Sequence, residues 1–548
     1  MFPSNVRILA SIGLMLAMVT MPCLADSATD LVGHWPLAAD AKDVSGHGND
    51  GVAHQVRFDG QSAIFNGRDA FIEVPPKVKF DARRPTFSLS AWVHVDERLK
   101  DALGDVVCQF DPARRVGFQL GVMNYAGVTT HQSNYRNLYF GVDDGGKPEK
   151  WVDHGRPGNS LYIMALTVWE GALYAGTFET GAEESGHVYR FAGGEHWEDC
   201  GSPDPCNAVS ALAVFEGKLY AGVAKYRSGG SALPDSPNPH LGGKVYRYEG
   251  NKQWTCCGKL GEADAVMGLA VYDGQLFAIP LYHQGTYRYE GGENWADCGT
   301  SGVRLMALGV YNGHLYGAGN EGKGKGGVYR YDGGRTWSHA GEQEGVTQVY
   351  SFATYEGSLF AGTWPNAAVF QFDGERTWKD VGRLGMELEV MGMAVYNGKL
   401  YGGTLPLAEV YRYDGPGRWT NTGQLDCTEG VKYRRAWSMA VFQGRLFCGT
   451  LPSGHVFSLR AGNVVTEDRE LSSGWHHLAA VRRADQLVLY VDGKQVAASP
   501  MSGGVAFAKD QPLRIGFGSH DYWNGRIKEV RLYSRPLSEE EIDQLSVP

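Results

Sequence analysis

A short glycine-centred motif repeats along the middle of the chain, and its spacing constrains the fold more than any other feature. The motif reads apolar-aromatic-x-Gly-x-Leu-aromatic, and residues 214–220 form one copy. Asp-Gly and Asn-Gly pairs begin at Asp273, Asn312 and Asn397, and such pairs supply the positive φ that a tight hairpin turn requires. Each copy therefore predicts two antiparallel strands. The seven copies have their central glycines at Gly171, Gly217, Gly274, Gly313, Gly357, Gly398 and Gly444.

A second motif, Trp-x3-Gly, repeats with a similar spacing. Its tryptophans are Trp151, Trp197, Trp254, Trp295, Trp337, Trp378 and Trp419, each with a glycine four residues later. The hairpin glycines are spaced 46, 57, 39, 44, 41 and 46 residues apart. Repeats of about 40–45 residues with four strands each are typical of propeller blades. The sequence therefore predicts a seven-bladed β-propeller over residues 147–461.

The two motifs are out of phase in a way that predicts how the ring closes. Trp151 precedes the first hairpin, whereas the last hairpin, at Gly444, is followed by a third strand over 455–459 and by no eighth tryptophan. Residues 150–155 are therefore predicted to complete the last blade, which leaves no free sheet edge. The alternative is an open solenoid, which needs capping repeats that the sequence does not show.

The segments before and after the repeats contain motifs of another kind. They contain Trp35-x-Leu37, an Asp-x-Ser-Gly segment at 43–46, Gly-Trp-His-His-Leu at 474–478, Val-Asp-Gly at 491–493 and Gly-x-Ile-x-Glu-Val-Arg-Leu-Tyr at 525–533. Taken together, the two ends resemble a laminin-G-like, concanavalin A-type jelly roll. The resemblance implies an all-β fold, a jelly-roll β-sandwich built from 26–146 and 462–548 with an inserted seven-bladed β-propeller. An insertion of this kind is physically reasonable because a closed ring brings its own ends together.

Residues 1–25 differ from the rest of the chain. Arg7 precedes an apolar run from Ile8 to Val19, and Cys23-Leu24-Ala25 provides a small-x-small cleavage site. We interpret this segment as a signal peptide and expect a secreted or periplasmic protein with no membrane span after its removal. A membrane anchor is the alternative, but the run is shorter than the roughly 18–20 apolar residues that a span needs. A lipidated Cys23 is disfavoured by the preceding Pro22.

Export would make the cysteines available for disulfides. Eight of the nine remain once Cys23 is removed, and the favoured local pairs are Cys200 with Cys206 and Cys427 with Cys448, because the adjacent Cys256 and Cys257 cannot easily bond to each other. The formal net charge of -10 argues against a nucleic-acid partner, because no basic surplus exists to displace phosphate counterions.

The jelly-roll resemblance also has functional implications. It implies binding of glycans or of cell-surface proteins, often with a structural calcium ion. By the same resemblance, the candidate calcium ligands are Asp43, Asn49 and Glu529. In the alternative interpretation, Asp43 only caps its own turn and Glu529 faces solvent.

The start of each inner propeller strand is the other candidate site. Nine residues before the hairpin glycines stand Tyr162, Ala208, Ala265, Arg304, Gln348, Glu389 and Arg435, a mostly polar ring where propellers commonly bind ligands. The predicted ligand-binding residues are Arg304, Tyr350, Glu389, Arg434 and Arg435. The alternative is a solvated channel lining with an Arg-Glu ion pair. Two residues further along each strand, Met164, Met267, Met306 and Met391 are predicted to fill the core rather than to bind a metal.

We therefore expect a binding protein that contacts glycans or surface partners through the jelly roll and the propeller mouth. The alternatives are a sialidase-like glycosidase with its site on the propeller axis and a protein-interaction scaffold. The turns 332–337 and 373–378 resemble part of the Asp-box of sialidases, which is a fold element. A sialidase also needs three arginines, a Tyr-Glu pair and an aspartate at the axis, and no motif in the sequence indicates these residues. Glu389 and Glu387 form the only suggested carboxylate pair, so no catalytic residue is predicted.

Overall fold

Antiparallel β-strands make up nearly all of the regular structure. The computed structural model describes residues 30–76, 86–101, 103–322, 326–501, 504 and 506–548. The predicted signal peptide over 1–25 lies outside these residues. The helix α1 (Glu539–Leu545) begins at Ser538, whose side chain forms a capping box with Glu541.

The two ends of the chain together form two β-sheets. The first sheet contains β1 (Leu31–Trp35), β3 (Arg57–Phe58), β4 (Ala63–Asn66), β6 (Phe87–Val95), β39 (Gly474–Arg482), β40 (Gln486–Val491), β41 (Lys494–Pro500) and β43 (Asn524–Tyr533). The second contains β2 (Val52–His54), β5 (Phe71–Val74), β7 (Gly104–Asp111), β8 (Val116–Ala126), β9 (Gln132–Asp144), β38 (Asn463–Glu470) and β42 (Leu513–Ile515). Strand β6 pairs with both β39 and β43, so neither end of the chain completes the first sheet alone.

One hydrophobic core joins these sheets into what we call the two-sheet unit. The rings of Phe87 in β6 and Phe118 in β8 lie 5.0 Å apart across it, and Trp35 and Trp523 are fully buried. Burial of one large apolar side chain contributes about 1.5–3 kcal/mol. The described residues thus support a split domain with one shared core, while its jelly-roll topology stays a prediction.

The residues between the two halves form a β-propeller arrangement. Over the described residues, five separate four-stranded blades are present. The first blade contains β19 (Val266–Tyr272), β20 (Gln275–Pro280), β21 (Tyr287–Tyr289) and β22 (Trp295–Asp297), and the second contains β23 (Leu305–Tyr311), β24 (His314–Gly319), β25 (Val328–Gly333) and β26 (Thr336–His339). The third contains β27 (Gln348–Tyr355), β28 (Ser358–Trp364), β29 (Ala368–Phe372) and β30 (Trp378–Arg383), and the fourth contains β31 (Glu389–Tyr396), β32 (Lys399–Leu405), β33 (Glu409–Tyr413) and β34 (Trp419–Gln424). The fifth contains β10 (Val152–Asp153), β35 (Arg435–Phe442), β36 (Arg445–Leu451) and β37 (Val456–Leu459).

The predicted count of seven separate blades is therefore corrected to five. The remaining strands form one continuous eight-stranded sheet, because Phe178 at the end of β12 pairs with Ala208 at the start of β15. That sheet contains β11 (Tyr162–Trp169), β12 (Ala172–Phe178), β13 (Val188–Gly193), β14 (His196–Asp199), β15 (Ala208–Phe215), β16 (Lys218–Ala224), β17 (Lys244–Gly250) and β18 (Gln253–Lys259).

The ring closes where the sequence predicts. Val152 pairs with Ser458 and Asp153 with Phe457, so β10 from the start of the repeats completes the blade formed at their end. The inner strands contact one another in succession, from β11 through β15, β19, β23, β27 and β31 to β35, and β35 contacts β11.

Indole hydrogen bonds join the outer strands of neighbouring repeats. The Trp337 Nε1 donates to the Cys298 carbonyl at 3.1 Å, and the Trp151 Nε1 donates to Thr422 Oγ1 at 3.3 Å. The same donation, to a backbone carbonyl, is made by Trp197, Trp254, Trp295, Trp378 and Trp419. The repeating tryptophans therefore act as structural links.

The hairpin between β8 and β9 fills the centre of the ring from one end. Its tip, residues 127–131, belongs to the two-sheet unit, yet its backbone pairs with propeller strands. Phe352 N donates to the Gly127 carbonyl at 2.7 Å, and Leu269 N donates to the Thr130 carbonyl at 3.2 Å. Backbone carbonyls of further inner strands form hydrogen bonds with the side chains of Thr130, His131 and Asn134. We call residues 124–134 the axial hairpin.

The predicted disulfides are not formed. All eight cysteines of the described residues are free thiols. Cys448 lies in the middle of β36 and is fully buried, whereas Cys427 is exposed in the loop after β34. The Sγ atoms of Cys200 and Cys206 instead contact the carbonyls of Glu198 and Ala208.

Candidate functional site

A cavity of about 140 Å³ opens at the end of the propeller opposite the axial hairpin. We call it the mouth cavity. It is lined by Tyr162, Met164, Tyr226, Arg227, Gly230, Met267, Leu281, Tyr282, Arg304, Met306, Asn320, Tyr350, Arg435 and Trp437. This size is below the roughly 300–1,000 Å³ of pockets for drug-sized ligands, so the cavity suits a small ligand or one terminal unit of a larger one.

Large side chains from the inner strands form the floor of the cavity. Met164, Met267, Met306, Tyr350 and Trp437 all stand seven residues before a hairpin glycine, and strand geometry directs alternate residues to one face. Trp437 Nε1 donates to the Met164 carbonyl at 2.9 Å, which fixes the indole. The axial hairpin lies beyond this floor, because Thr130 Oγ1 donates to the Ser210 carbonyl at 2.8 Å in the middle of β15. The mouth cavity is therefore blind.

An insertion between β16 and β17, residues 225–243, covers part of the mouth. It contains the 3-10 turn Ser228–Ser231. Asn207 anchors its start, because Asn207 Nδ2 donates to the Tyr226 carbonyl at 3.0 Å and Asn207 Oδ1 accepts from Tyr226 N at 2.7 Å. The Tyr226 ring then packs edge-on against Tyr162 and Phe178. We call this segment the mouth loop.

Three arginines line the mouth cavity. Arg304 donates through Nε to the Asn320 carbonyl at 2.7 Å and through a terminal nitrogen to Asn320 Oδ1 at 2.6 Å. Arg227 pairs with Asp264 at 2.6 Å and lies over the Tyr282 ring. Burial lowers the pKa of Arg304, although a guanidinium with so high a reference value stays charged at neutral pH.

Arg435 connects the inner strand to the mouth loop. Its terminal nitrogens donate to Ser231 Oγ at 2.6 Å and to the Gly230 carbonyl at 3.4 Å. Its Nε is buried and has no hydrogen-bond partner. The side chain is thus held in place with one donor still unsatisfied.

Glu389 lies beside Arg435 and Tyr350 at the start of β31. Burial raises its pKa to about 7, while the charge of Arg435 and hydrogen bonding by Tyr350 act in the opposite direction. The Tyr350 hydroxyl donates to Gln348 Oε1 at 2.8 Å, and burial holds its own pKa well above the usual value. Glu389 Oε1 is buried without a hydrogen-bond partner. It borders the cavity without being one of its lining residues.

The structure separates two predicted residues from this group. Arg434 points away from the cavity, where its Nε donates to the Pro406 carbonyl at 3.4 Å. Glu387 accepts hydrogen bonds from Thr404 Oγ1 at 2.7 Å and Leu407 N at 3.0 Å, so it stabilises its own blade. Glu387 and Glu389 therefore do not form a pair of facing carboxylates.

The predicted calcium ligands have protein partners. Asp43 accepts from the backbone N–H groups of His34, Ser45 and Asn49 at 2.9–3.0 Å. His34 Nε2 contacts Glu529 Oε2 at 2.8 Å, and Arg531 binds the same oxygen. No group of three or more His, Cys, Asp or Glu side chains in the described ranges is placed to hold a metal ion.

Several cavity residues escape prediction from the repeat pattern. Tyr226 and Arg227 belong to the mouth loop, Tyr282 follows β20, and Asn320 follows β24. One signal does point to the mouth loop, since the 57-residue interval between Gly217 and Gly274 exceeds every other interval.

Comparison with known proteins supports the character of the C-terminal part. Residues 434–543 match a family named Laminin_G_3 and described as the concanavalin A-like lectin/glucanases superfamily. No curated protein matches the chain. In the described residues, no helix is long and apolar enough to cross a membrane.

Comparison with solved structures gives matches at low identity. A streptogramin B lyase structure has a TM-score of 0.45 at 10% identity and covers 57% of this chain and 97% of that chain. A virginiamycin B lyase from Staphylococcus aureus with quinupristin has a TM-score of 0.42 at 9% identity and covers 57% and 99%. A Trypanosoma rangeli sialidase in complex with the inhibitor DANA has a TM-score of 0.27 at 11% identity and covers 83% and 94%.

Proposed function

We propose that this protein is an exported binding protein that recognises glycans or cell-surface partners through the two-sheet unit and the propeller mouth. The observation that carries the proposal is the blind mouth cavity, in which aromatic rings and arginines converge on a small volume. Concave sites with apolar walls and a few placed polar groups are the usual form of ligand sites. The match of residues 434–543 to a lectin-type family also supports a binding role.

We also propose the finer architecture that the sequence predicts. Residues 26–146 and 462–548 would form one jelly roll, and 147–461 a propeller in which the eight-stranded sheet counts as two blades. The single pair Phe178–Ala208 joins the two halves of that sheet, and each half has its own inner strand in the ring. The seven indole hydrogen bonds from one repeat to the next also support this count.

A glycan array tests the binding function. The wild type is expected to bind a defined subset of glycans, and Tyr282→Ala in the mouth cavity is expected to lose that binding. Tyr287→Ala is the matched control, because Tyr287 lies in β21 on the outer part of the same blade. Silence of the wild type on the array, with retention of a protein partner in pull-down, would favour the scaffold.

The same array with a chelator tests the calcium prediction. Loss of glycan binding on chelation, restored by Ca²⁺, would support a calcium site. Unchanged binding would instead favour the alternative, in which the carboxylates of Asp43 and Glu529 bind only protein groups.

Glycoside hydrolysis in the mouth cavity is a second candidate. The observation that favours it is the placement of Tyr350 and Glu389 near Arg227, Arg304 and Arg435, because a Tyr-Glu pair and three arginines are part of what a sialidase-like site requires. The aspartate that such a site also needs is not among the lining residues of the cavity. A glycosidase usually uses two carboxylates about 5–10 Å apart. Turnover of 4-nitrophenyl glycosides that is lost in Glu389→Gln would establish this activity.

A further inference from the structure

The charges around the mouth cavity are unbalanced. Arg227, Arg304 and Arg435 line it, and none of its lining residues is an Asp or a Glu. Of the neighbouring carboxylates, Asp264 is paired with Arg227, Glu321 accepts from Arg304 N and from Gln284 Nε2, and the buried Glu389 interacts with Arg435. The lining is therefore cationic and rich in hydrogen-bond donors, although the whole chain carries a net charge of -10.

Two buried charged side chains at this place are incompletely satisfied. Arg435 is 7% exposed and Glu389 is 2% exposed, and each has one side-chain polar atom that is buried without a hydrogen-bond partner. A buried polar atom without a partner costs about 1–3 kcal/mol. A site that keeps two of them next to a cavity is arranged for a ligand that supplies the missing partners.

From this geometry we propose, resting on the proposed function, that the mouth cavity binds a small carboxylate with a flat or apolar ring face, and that Glu389 takes up a proton when it binds. A carboxylate oxygen would accept from Arg435 Nε, a charge-assisted bond that is stronger than one between neutral groups. The rings of Tyr162, Tyr282 and Trp437 would cover the ring face of the ligand. A single uronic acid unit has this chemistry.

The proton uptake follows from the position of Glu389 beside Arg435. Its charged form is stabilised by the charge of Arg435, but burial outweighs this effect and raises the pKa to about 7. A bound anion would weaken the stabilisation of ionised Glu389 by Arg435 and would also repel the ionised carboxylate. The protonated form of Glu389 would therefore become more stable relative to the ionised form. The other titratable groups facing Glu389 are the hydroxyls of Tyr162 and Tyr350, whose pKa values burial raises well above 10, so both stay neutral.

The sign of the pH effect is therefore fixed. Ligand binding raises the pKa of Glu389 and consumes a proton, so affinity increases as pH falls through about 7 and levels off on both sides. Titration calorimetry of the full chain with glucuronate and with glucose, its neutral counterpart, measures this directly. We expect glucuronate to bind about fivefold more tightly at pH 6 than at pH 8, as follows if the pKa of Glu389 is higher by about 1 in the complex than in the free protein. Glucose is expected to bind at least tenfold more weakly than glucuronate at pH 6.

Two variants assign the effect to residues. In Glu389→Gln the affinity for glucuronate is expected to be the same at pH 6 and pH 8, and the heat of binding no longer to depend on the ionisation enthalpy of the buffer. Arg304→Gln, a lining arginine that does not contact Glu389, is expected to weaken glucuronate at both pH values and to keep their ratio. Thermal melts of both variants check folding.

The outcomes separate this proposal from the proposed function. Equal binding of glucose and glucuronate, or glucuronate binding that is independent of pH in the wild type, would overturn the acidic, proton-coupled ligand and leave a sugar-binding mouth. Binding of neither sugar, with a wild type that also ignores the glycan array, would overturn both.

Discussion

Single buried polar side chains connect the two parts of the molecule. Asn134, at the base of the axial hairpin, is fully buried and bonds both backbone groups of Val441: Val441 N donates to Asn134 Oδ1 at 3.0 Å, and Asn134 Nδ2 donates to the Val441 carbonyl at 2.8 Å. An amide side chain thus acts as an added peptide group beside β35. No repeat or motif in the sequence marks Asn134 for this role, because its partner lies in a distant repeat.

Asn134→Leu is expected to destabilise the protein by roughly 2–6 kcal/mol, because two buried backbone groups lose their partners at about 1–3 kcal/mol each. Urea unfolding measures the change. Asn294→Leu, at an exposed turn, is the control and is expected to change stability by less than about 0.5 kcal/mol. Equal effects of the two substitutions would contradict the role of Asn134.

Asp468 is a second residue at the same junction. Burial raises its pKa to about 7, and its Oδ2 accepts from Gln443 N at 3.1 Å at a propeller hairpin. An acid whose pKa is higher in the folded state than in the unfolded state favours folding below its unfolded value of about 3.9. This contribution is lost as pH rises to about 7.

Asp468→Asn, which keeps an acceptor and removes the charge, is therefore expected to raise the melting temperature at pH 8 and to change it little at pH 4. Differential scanning fluorimetry across this range measures both values. The exposed Asp485→Asn is the matched control and should show no such difference between the two pH values. A melting temperature at pH 8 that falls in Asp468→Asn would refute the assignment.

Among the elements, the mouth loop has the clearest functional consequence. It holds Arg435 through Ser231 and Gly230 and places Tyr226 and Arg227 on the cavity. The repeat pattern correctly places Arg304, Tyr350 and Arg435 at one end of the inner strands, because strand periodicity is regular. The mouth loop has no periodicity, so its course over the cavity follows only from tertiary contacts such as those of Asn207.

Replacing residues 228–241 by a short Gly-Ser turn is expected to leave the propeller folded and to weaken ligand binding at least tenfold, because Arg435 loses both of its partners. Loop changes of this kind cost little closure entropy. Binding of the glycan selected on the array measures the effect. Shortening the exposed 427–430 segment by two residues is the control, since it contributes no residue to the cavity. Unchanged affinity in the mouth-loop variant would show that the loop does not shape the site.

At the scale of the whole molecule, the ring and its closure follow from the sequence, but the joining of the two domains does not. The glycine and tryptophan spacing predicts a propeller, and the pairing of Val152 with Ser458 confirms where it closes. The seven predicted blades do not form seven separate sheets, since one residue pair joins two repeats into one sheet. The axial hairpin is invisible to pattern analysis because its short polar tip resembles an ordinary surface turn.

The axial hairpin predicts that the whole chain unfolds as one unit. Backbone and side-chain hydrogen bonds from its tip reach strands on several sides of the ring, so neither part can open without breaking buried contacts of the other. Calorimetry of the full chain is expected to show one transition with equal calorimetric and van't Hoff enthalpies. The isolated 147–461 fragment is expected to melt at a clearly lower temperature. Two separate transitions in the full chain would contradict this coupling.

The position of the axial hairpin in the chain also has a consequence for biosynthesis. Domains generally fold from the N-terminus as the ribosome makes them. Residues 116–144 are made before any of the inner strands that surround them, and the chain passes directly from β9 into the ring. The nascent chain therefore contains the axial hairpin before the inner strands that surround it, whereas β38, which pairs with β9, is made only after the last blade. The hairpin can serve as a template for the inner strands during synthesis, and the two-sheet unit is completed only when the end of the chain is made.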